Sequence, residues 1–239
     1  MSQTTLTTHS ALHAQTLFPL KMPNVDELFP GFAVGDFALI HGSPSVQSLI
    51  SRLCIKAQLP TQLGGLSSNV VFIDGGNSFN LCQVARLAQL EQLDPQQTRS
   101  RIHISRAFTA YQLTSLIMEH LQEEVERVQA KLVVISDIAG LFLDQDIPEE
   151  EARNVFNQIL AYLSAFARKN HIILVATYPP QTRNERNRYL KNLACQKATV
   201  VIALYQTLYD REFALEKHPR FMLGSAEWPS ENTTLTQFI

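Results

Sequence analysis

The chain has 239 residues, 45% of them hydrophobic, with 20 basic against 22 acidic side chains and a formal net charge of −2. That length and apolar content suit one sizeable α/β domain with a real core. The charge balance excludes a whole-chain electrostatic pull toward nucleic acid, so any such binding must come from a local patch.

The three cysteines, Cys54, Cys82 and Cys195, have no metal-ligand spacing and read as reduced core thiols of a cytosolic protein. No apolar run approaches the roughly 18–20 residues of a membrane helix, and the start MSQTTLTTHSALHAQ lacks a signal peptide's basic and apolar regions.

Residues 1–16 are rich in Thr, Ser and Gln and are expected to be a flexible leader. FALIH (37–41) is an apolar strand, and a helix is expected over about 46–59. VVFID (70–74) is a second strand, closed by Gly75-Gly76-Asn77, with a helix from about Leu81 to Gln92. IHIS (102–105) is a third strand. Leu113, Leu116, Ile117, Leu121 and Val125 share one face of a long helix over 110–129. KLVVIS (131–136) is a buried strand. Pro148 and three glutamates open a helix over 149–169, in keeping with the helix dipole. HIILVAT (171–177) and TVVIALY (199–205) are further strands. REFALEKHP and RFMLGS form a terminal hairpin. Residues 229–239 read as a polar tail. Alternating apolar strands and helices predict a mostly parallel twisted sheet with helices on both faces, as a single domain over 17–228.

The stretch HGSPSVQSLISRLC (41–54) occupies the place of a phosphate-binding loop. A working loop reads G-x-x-x-x-G-K-[ST]: its glycines let backbone N–H groups wrap the phosphates, its Lys reaches them, and its Ser/Thr holds Mg²⁺. Aligned from Gly42, Gln47 stands for the second Gly, Ser48 for the Lys and Leu49 for the Ser/Thr. Gly42, Ser43, Ser45 and Ser48 are what remains of a candidate cofactor-binding loop, with helix N–H groups still available to an anion.

From about Pro23 to Trp228 the chain resembles the RecA/RadA family of strand-exchange recombinases, closest to the archaeal and eukaryotic branch and its paralogues. The resemblance is carried by NVDELFPGFAVGDFALIHGS (24–43), IDGGNSF (73–79), ISRAFTAYQLTSLI (104–117), KLVVISDIAGLF (131–142) and FALEKHPRFMLG (213–224), in order and spacing. It implies a RecA-like core ending in a β-hairpin. It also places the family's ATP chemistry on unsuitable residues: the water-orienting Glu falls on Gly76, the adenine-stacking Arg near Gln83 and the Walker B Asp on Ser136. Asp137, one residue late, is a displaced candidate. The expectation is no bound cofactor, neither ATP nor Mg²⁺, and no hydrolysis, because phosphoryl transfer is almost entirely positioning and charge stabilisation.

The family's two DNA-binding loops fall on LDQDIPEEE (143–151), which is acidic, and on YPPQTRNERNRYLKN (178–192). The latter holds Arg183, Arg186, Arg188 and Lys191 with Tyr178 and Tyr189 interleaved, suited to phosphates and stacked bases. The partners implied are single-stranded DNA, an active RecA/RadA-type recombinase or another RecA-like subunit, and no membrane; the place implied is cytoplasmic, on DNA. Three readings stand: a non-hydrolysing accessory in recombination and repair, a structural pseudo-ATPase subunit without DNA contact, and a weak ATPase completed by a neighbour. Phe108 and Tyr111 are expected to pack against the sheet.

Overall fold

A computed structural model describes residues 17–179, 184–207 and 211–228. All eight of its strands lie in one sheet, in the order β3-β2-β4-β5-β1-β6-β7-β8. Strands β1 (Phe37–Gly42), β2 (Asn69–Asp74), β3 (Ile102–Arg106), β4 (Ala130–Ser136), β5 (Ile173–Tyr178) and β6 (Val200–Gln206) are parallel. Strands β7 (Arg211–Lys217) and β8 (Gly224–Glu227) add the antiparallel hairpin. The α/β class, the strand positions and the terminal hairpin match the sequence reading.

Both faces are covered because successive strand residues point to opposite sides. Leu39, Ile73, Val133, Ile135 and Leu174 meet one helical layer. It comprises α5 (Ala110–Ser115), α6 (Leu121–Val128), α7 (Glu149–Lys169) and α8 (Glu185–Lys197). Ile40, Phe72, Val134, Val175 and Ile202 meet the other. That side holds α1 (Val25–Leu28), α2 (Val46–Lys56) and α3 (Leu81–Leu90), with the short α4 (Pro95–Ser100) beside α3. Phe29 and Phe32 close it against Phe213, which stacks on Trp228.

Two details differ from the sequence reading. The helix expected over 110–129 contains a π-helical turn, Leu116–His120, between α5 and α6. Its apolar residues still reach the core, so periodicity alone did not register the turn. Cys82 is exposed and Cys195 half-buried, leaving Cys54 as the one fully buried thiol, its pKa pushed up to about 12 by burial.

Candidate functional site

Parallel strands bring their carboxyl ends to one edge, where open α/β sheets hold ligands. Here that edge carries the turns after β1 (Gly42 to Ser45), β2 (Gly75 to Asn80) and β4 (Asp137 to Ala139), together with Thr177 and Tyr178 of β5.

Gly42 is a glycine because of β6. Its φ is +110°, and a β-carbon there would overlap the Leu204 carbonyl oxygen, 3.0 Å from its carbon and 3.1 Å from the Leu204 nitrogen. The next amide, Ser43 N–H, donates to that carbonyl at 2.7 Å. The loop is therefore drawn onto β6. The Ser43 and Ser45 hydroxyls hydrogen-bond each other.

The amides that open α2 are not available to an anion as expected. Val46 N–H donates to the Ser43 carbonyl and Gln47 N–H to the Pro44 carbonyl, each at 3.1 Å. The tight turn consumes donors that a phosphate nest needs. Ser48, at the lysine position, is half-buried, and Leu49, at the metal-hydroxyl position, is 1% exposed in the core beneath α2.

The side chain at the second-glycine position does something else. Gln47 Nε2 donates to the Ser78 carbonyl at 2.8 Å, tying α2 to the turn after β2. A second rung runs from Ser51 Oγ to Gln83 Oε1 at 3.2 Å. Ser78 is held from below by Asp74, a fully buried carboxylate that accepts from Ser78 N (2.9 Å) and Phe79 N (3.1 Å). Arg106 completes that carboxylate at 3.2 Å. The Ser78 hydroxyl then meets the Ser136 hydroxyl at the end of β4.

Asp137 does reach this edge, because the backbone turns there: its φ is +49°. Its Oδ1 accepts from Gly140 N–H at 2.8 Å and its own N–H donates to Thr177 Oγ1 at 2.9 Å. It also lies against Gly76, where an added β-carbon would come within 2.9 Å of the Asp137 β-carbon. A Glu at position 76 would therefore collide with Asp137 and repel it.

The basic segment is placed largely on a helix. Residues 185–197 form α8, capped by Asn184, whose side chain accepts from Asn187 N–H at 2.7 Å. Arg183 lies outside the described residues. Arg186 points inward and donates to the Ile147 carbonyl at 3.0 Å, bracing the acidic turn before α7. Tyr189 carries Arg153 of α7 over its ring, 4.4 Å from the centroid. Arg188 is exposed, 3.4 Å from Glu185. Lys191 is half-buried and close enough to His41 and Glu216 to influence their ionisation. The structure thus brings the four described residues onto one helix but turns Arg186 and the Tyr189 ring toward α7.

Beneath α8 sits a group that sequence reading did not assemble. His41 Nε2 lies 2.7 Å from Glu216 Oε2, and Tyr205 OH donates to Glu216 Oε1 at 2.8 Å. Burial holds His41 below its usual range, against the pull of Glu216. Burial pushes the Glu216 carboxyl up, but the hydrogen bonds from His41 and Tyr205 bring it below its ordinary value. An adjoining cleft of about 480 Å³ is lined by Cys195, Glu216 and Lys217 among others. Both Glu216 oxygens are engaged, and Lys217 Nζ donates to the Cys195, Gln196 and Ala198 carbonyls. The cluster therefore ties the hairpin to β1 and closes the end of α8.

Phe108 and Tyr111 do not pack on the sheet: they are 67% and 60% exposed. Ile104, on the edge strand β3, is 40% exposed as well. Among the described residues, no three His, Cys, Asp or Glu side chains are grouped to hold a metal, and no helix is long and apolar enough to cross a membrane.

The strand order, the phosphate-loop position after β1 and the terminal hairpin are those of a RecA-like core, and comparisons with known proteins agree. The meiotic recombination protein DMC1 of Saccharomyces cerevisiae is 26% identical over 119 residues, covering 50% of this chain and 32% of that protein. The chain thus matches about a third of that relative's length. The Rad51 family model matches residues 23–191, well over half of the chain and every strand from β1 to β5, and on that extent the chain belongs to the Rad51 family.

Proposed function

We propose that this protein is a non-hydrolysing accessory of DNA recombination and repair, acting by docking on single-stranded DNA or a RecA-like partner rather than by nucleotide turnover. The observation that carries this reading is the Gln47–Ser78–Ser136 network. It fastens the second-glycine position, Gln47, to Ser136 at the metal-ligand position through neutral hydrogen bonds, while Ser48, Leu49 and Gly76 stand where phosphoryl transfer needs a cation, a metal hydroxyl and a water-orienting carboxylate. ATP and Mg²⁺ accordingly have no role in the proposal. The setting in recombination rests on the family and on the meiotic recombination protein that the chain resembles.

Two features support docking. The cations on α8, exposed Arg188 and half-buried Lys191, suit a phosphate backbone. The exposed apolar side chains at the β3 end of the sheet, Ile104 of that edge strand, Phe108 beyond it and Tyr111 of α5, favour the second reading, a subunit that docks on a RecA-like protein without touching DNA.

The test is phosphate release with Mg-ATP, run beside fluorescence anisotropy of labelled oligo(dT) at two salt concentrations with and without Mg-ATP. No turnover, with salt-sensitive binding that Mg-ATP does not alter, supports the accessory. Turnover lost on Asp137→Ala would overturn it in favour of an ATPase. No oligo(dT) binding near physiological salt would discard the DNA contact and leave the protein-docking subunit.

A further inference from the structure

The carboxyl edge carries a continuous cross-brace of side-chain and backbone hydrogen bonds. It runs from α2 through the Gln47 amide to the Ser78 carbonyl. It continues through the Ser78 hydroxyl to Ser136 at the end of β4, and Gly75 N–H also donates to the Ser136 carbonyl at 2.9 Å. The next residue, Asp137, ties to β5 by its N–H to Thr177 Oγ1, and Ile138 N–H donates to the Thr177 carbonyl at 3.0 Å. Asp74 anchors the centre through two backbone amides. The elements joined are α2 and the ends of β2, β4 and β5.

We infer that Gln47 acts as an internal ligand: its amide, with Ser78 and Ser136, holds the turns at this edge in one arrangement without any nucleotide. The edge is therefore constitutively ordered, and whatever docks beside it meets the same surface whether or not ATP is present. This rests on the reading that the site holds no nucleotide, and it adds the residue responsible for that independence.

Three features support the assignment. Gln47 stands at a position where a phosphate loop has glycine, and a side chain there occupies the space between α2 and the β2 turn. The bond it makes is to a backbone carbonyl, so it fixes the chain and not merely another rotamer. The turn it grips is already held by a buried carboxylate, so a single added bond removes much of the freedom that remains.

Hydrogen exchange of the native protein tests this. In the wild type, the amides of Gly75, Ser78, Phe79 and residues 136–138 should exchange slowly, at rates unchanged by millimolar Mg-ATP. Gln47→Ala should speed exchange at Ser78 and Phe79 by about fivefold, the effect of losing one hydrogen bond, while the α7 core amides stay as protected as before. Gln47→Glu, which sets a carboxylate against the Ser78 carbonyl, should speed it further. Ser136→Ala should remove the Ser78–Ser136 hydroxyl bond and leave the Gln47 tie. Unchanged exchange in both Gln47 variants would overturn the internal-ligand assignment alone. Fast wild-type exchange that slows only with Mg-ATP would overturn it together with the nucleotide-free reading.

Discussion

Replacing Gly42 with alanine tests why that glycine is present. A glycine that serves a phosphate is dispensable for folding; one that serves β6 is not. At φ +110° an L-residue is strained by about 1–3 kcal/mol. The new methyl also overlaps the Leu204 carbonyl, so β1 and β6 must separate or the loop must shift. Overpacking of that kind costs about 1–3 kcal/mol. Losing the Ser43 N–H bond to Leu204 adds about 1 kcal/mol. The expected loss is about 4 kcal/mol, a large part of the roughly 5–15 kcal/mol that holds a domain together. With a urea slope of about 2.5 kcal/mol per molar, the midpoint should fall by about 1.5 M at unchanged slope. A midpoint that moves by less than about 0.3 M would refute the packing explanation and return Gly42 to a ligand-binding role.

Four further outcomes are expected. Burial pulls the Lys56 ammonium down to about 8, below its unfolded value, so the unfolded chain binds more protons above pH 8. Stability should rise by about 2 kcal/mol between pH 8 and about 10.5 after allowing for screening, and urea midpoints of Lys56→Met should lack that rise. Asp74→Asn should destabilise by about 2–3 kcal/mol, because it leaves Arg106 without a carboxylate and sets an amide donor near the Ser78 and Phe79 N–H groups; thermal unfolding measures it. If oligo(dT) binds, Arg188→Ala with Lys191→Ala should lower the salt slope by about 1.4, whereas Arg186→Ala should mainly lower the melting temperature through its lost bond to Ile147. Ser48→Lys with Leu49→Thr should not create ATP turnover in a phosphate-release assay, since Gln47, Gly76 and Ser136 still occupy the other positions.

The strands were legible because short apolar runs such as VVFID and KLVVIS are buried on both faces and bounded by turn residues. The reading of Ser48, Leu49, Gly76 and Ser136 as standing at former catalytic positions comes from the resemblance, and it belongs to the proposed function. The cross-brace was not legible. Gln47 and Ser78 are 31 residues apart, and nothing in either residue's neighbourhood says that an amide will find that carbonyl. Arg186 illustrates the same limit: a count of cations along 183–191 treats each as solvated, but helical spacing turns residues 186 and 189 together toward α7. Phe108 and Tyr111 failed in the opposite direction. Aromatic residues near a strand end usually pack inward, yet Thr109 caps α5 through Gln112 N–H and the chain enters the helix with both rings outside.

On the proposed reading, the substitutions at this site compensate one another. A site built for a nucleotide concentrates positive and negative groups that are tolerable because they face a charged ligand and its metal. Removing the lysine alone would leave carboxylates facing each other, and removing the carboxylates alone would strand a cation at the end of the sheet. Here Ser48 and Leu49 stand at the cation and metal-hydroxyl positions, and Gly76 and Ser136 at the two carboxylate positions. Of the acids nearby, Asp137 is turned by its positive φ onto Gly140 N–H, and Asp74 is matched by Arg106 and by the Ser78 and Phe79 amides. Around them the Gln47, Ser78 and Ser136 groups satisfy each other, which is the condition for a polar cluster to stabilise rather than strain a partly buried edge. Restoring any single charged group would break that balance without restoring the chemistry, so recovery of turnover would demand several simultaneous changes. On the proposed reading the sheet edge holds its arrangement without a ligand, and that is what the proposed docking role requires.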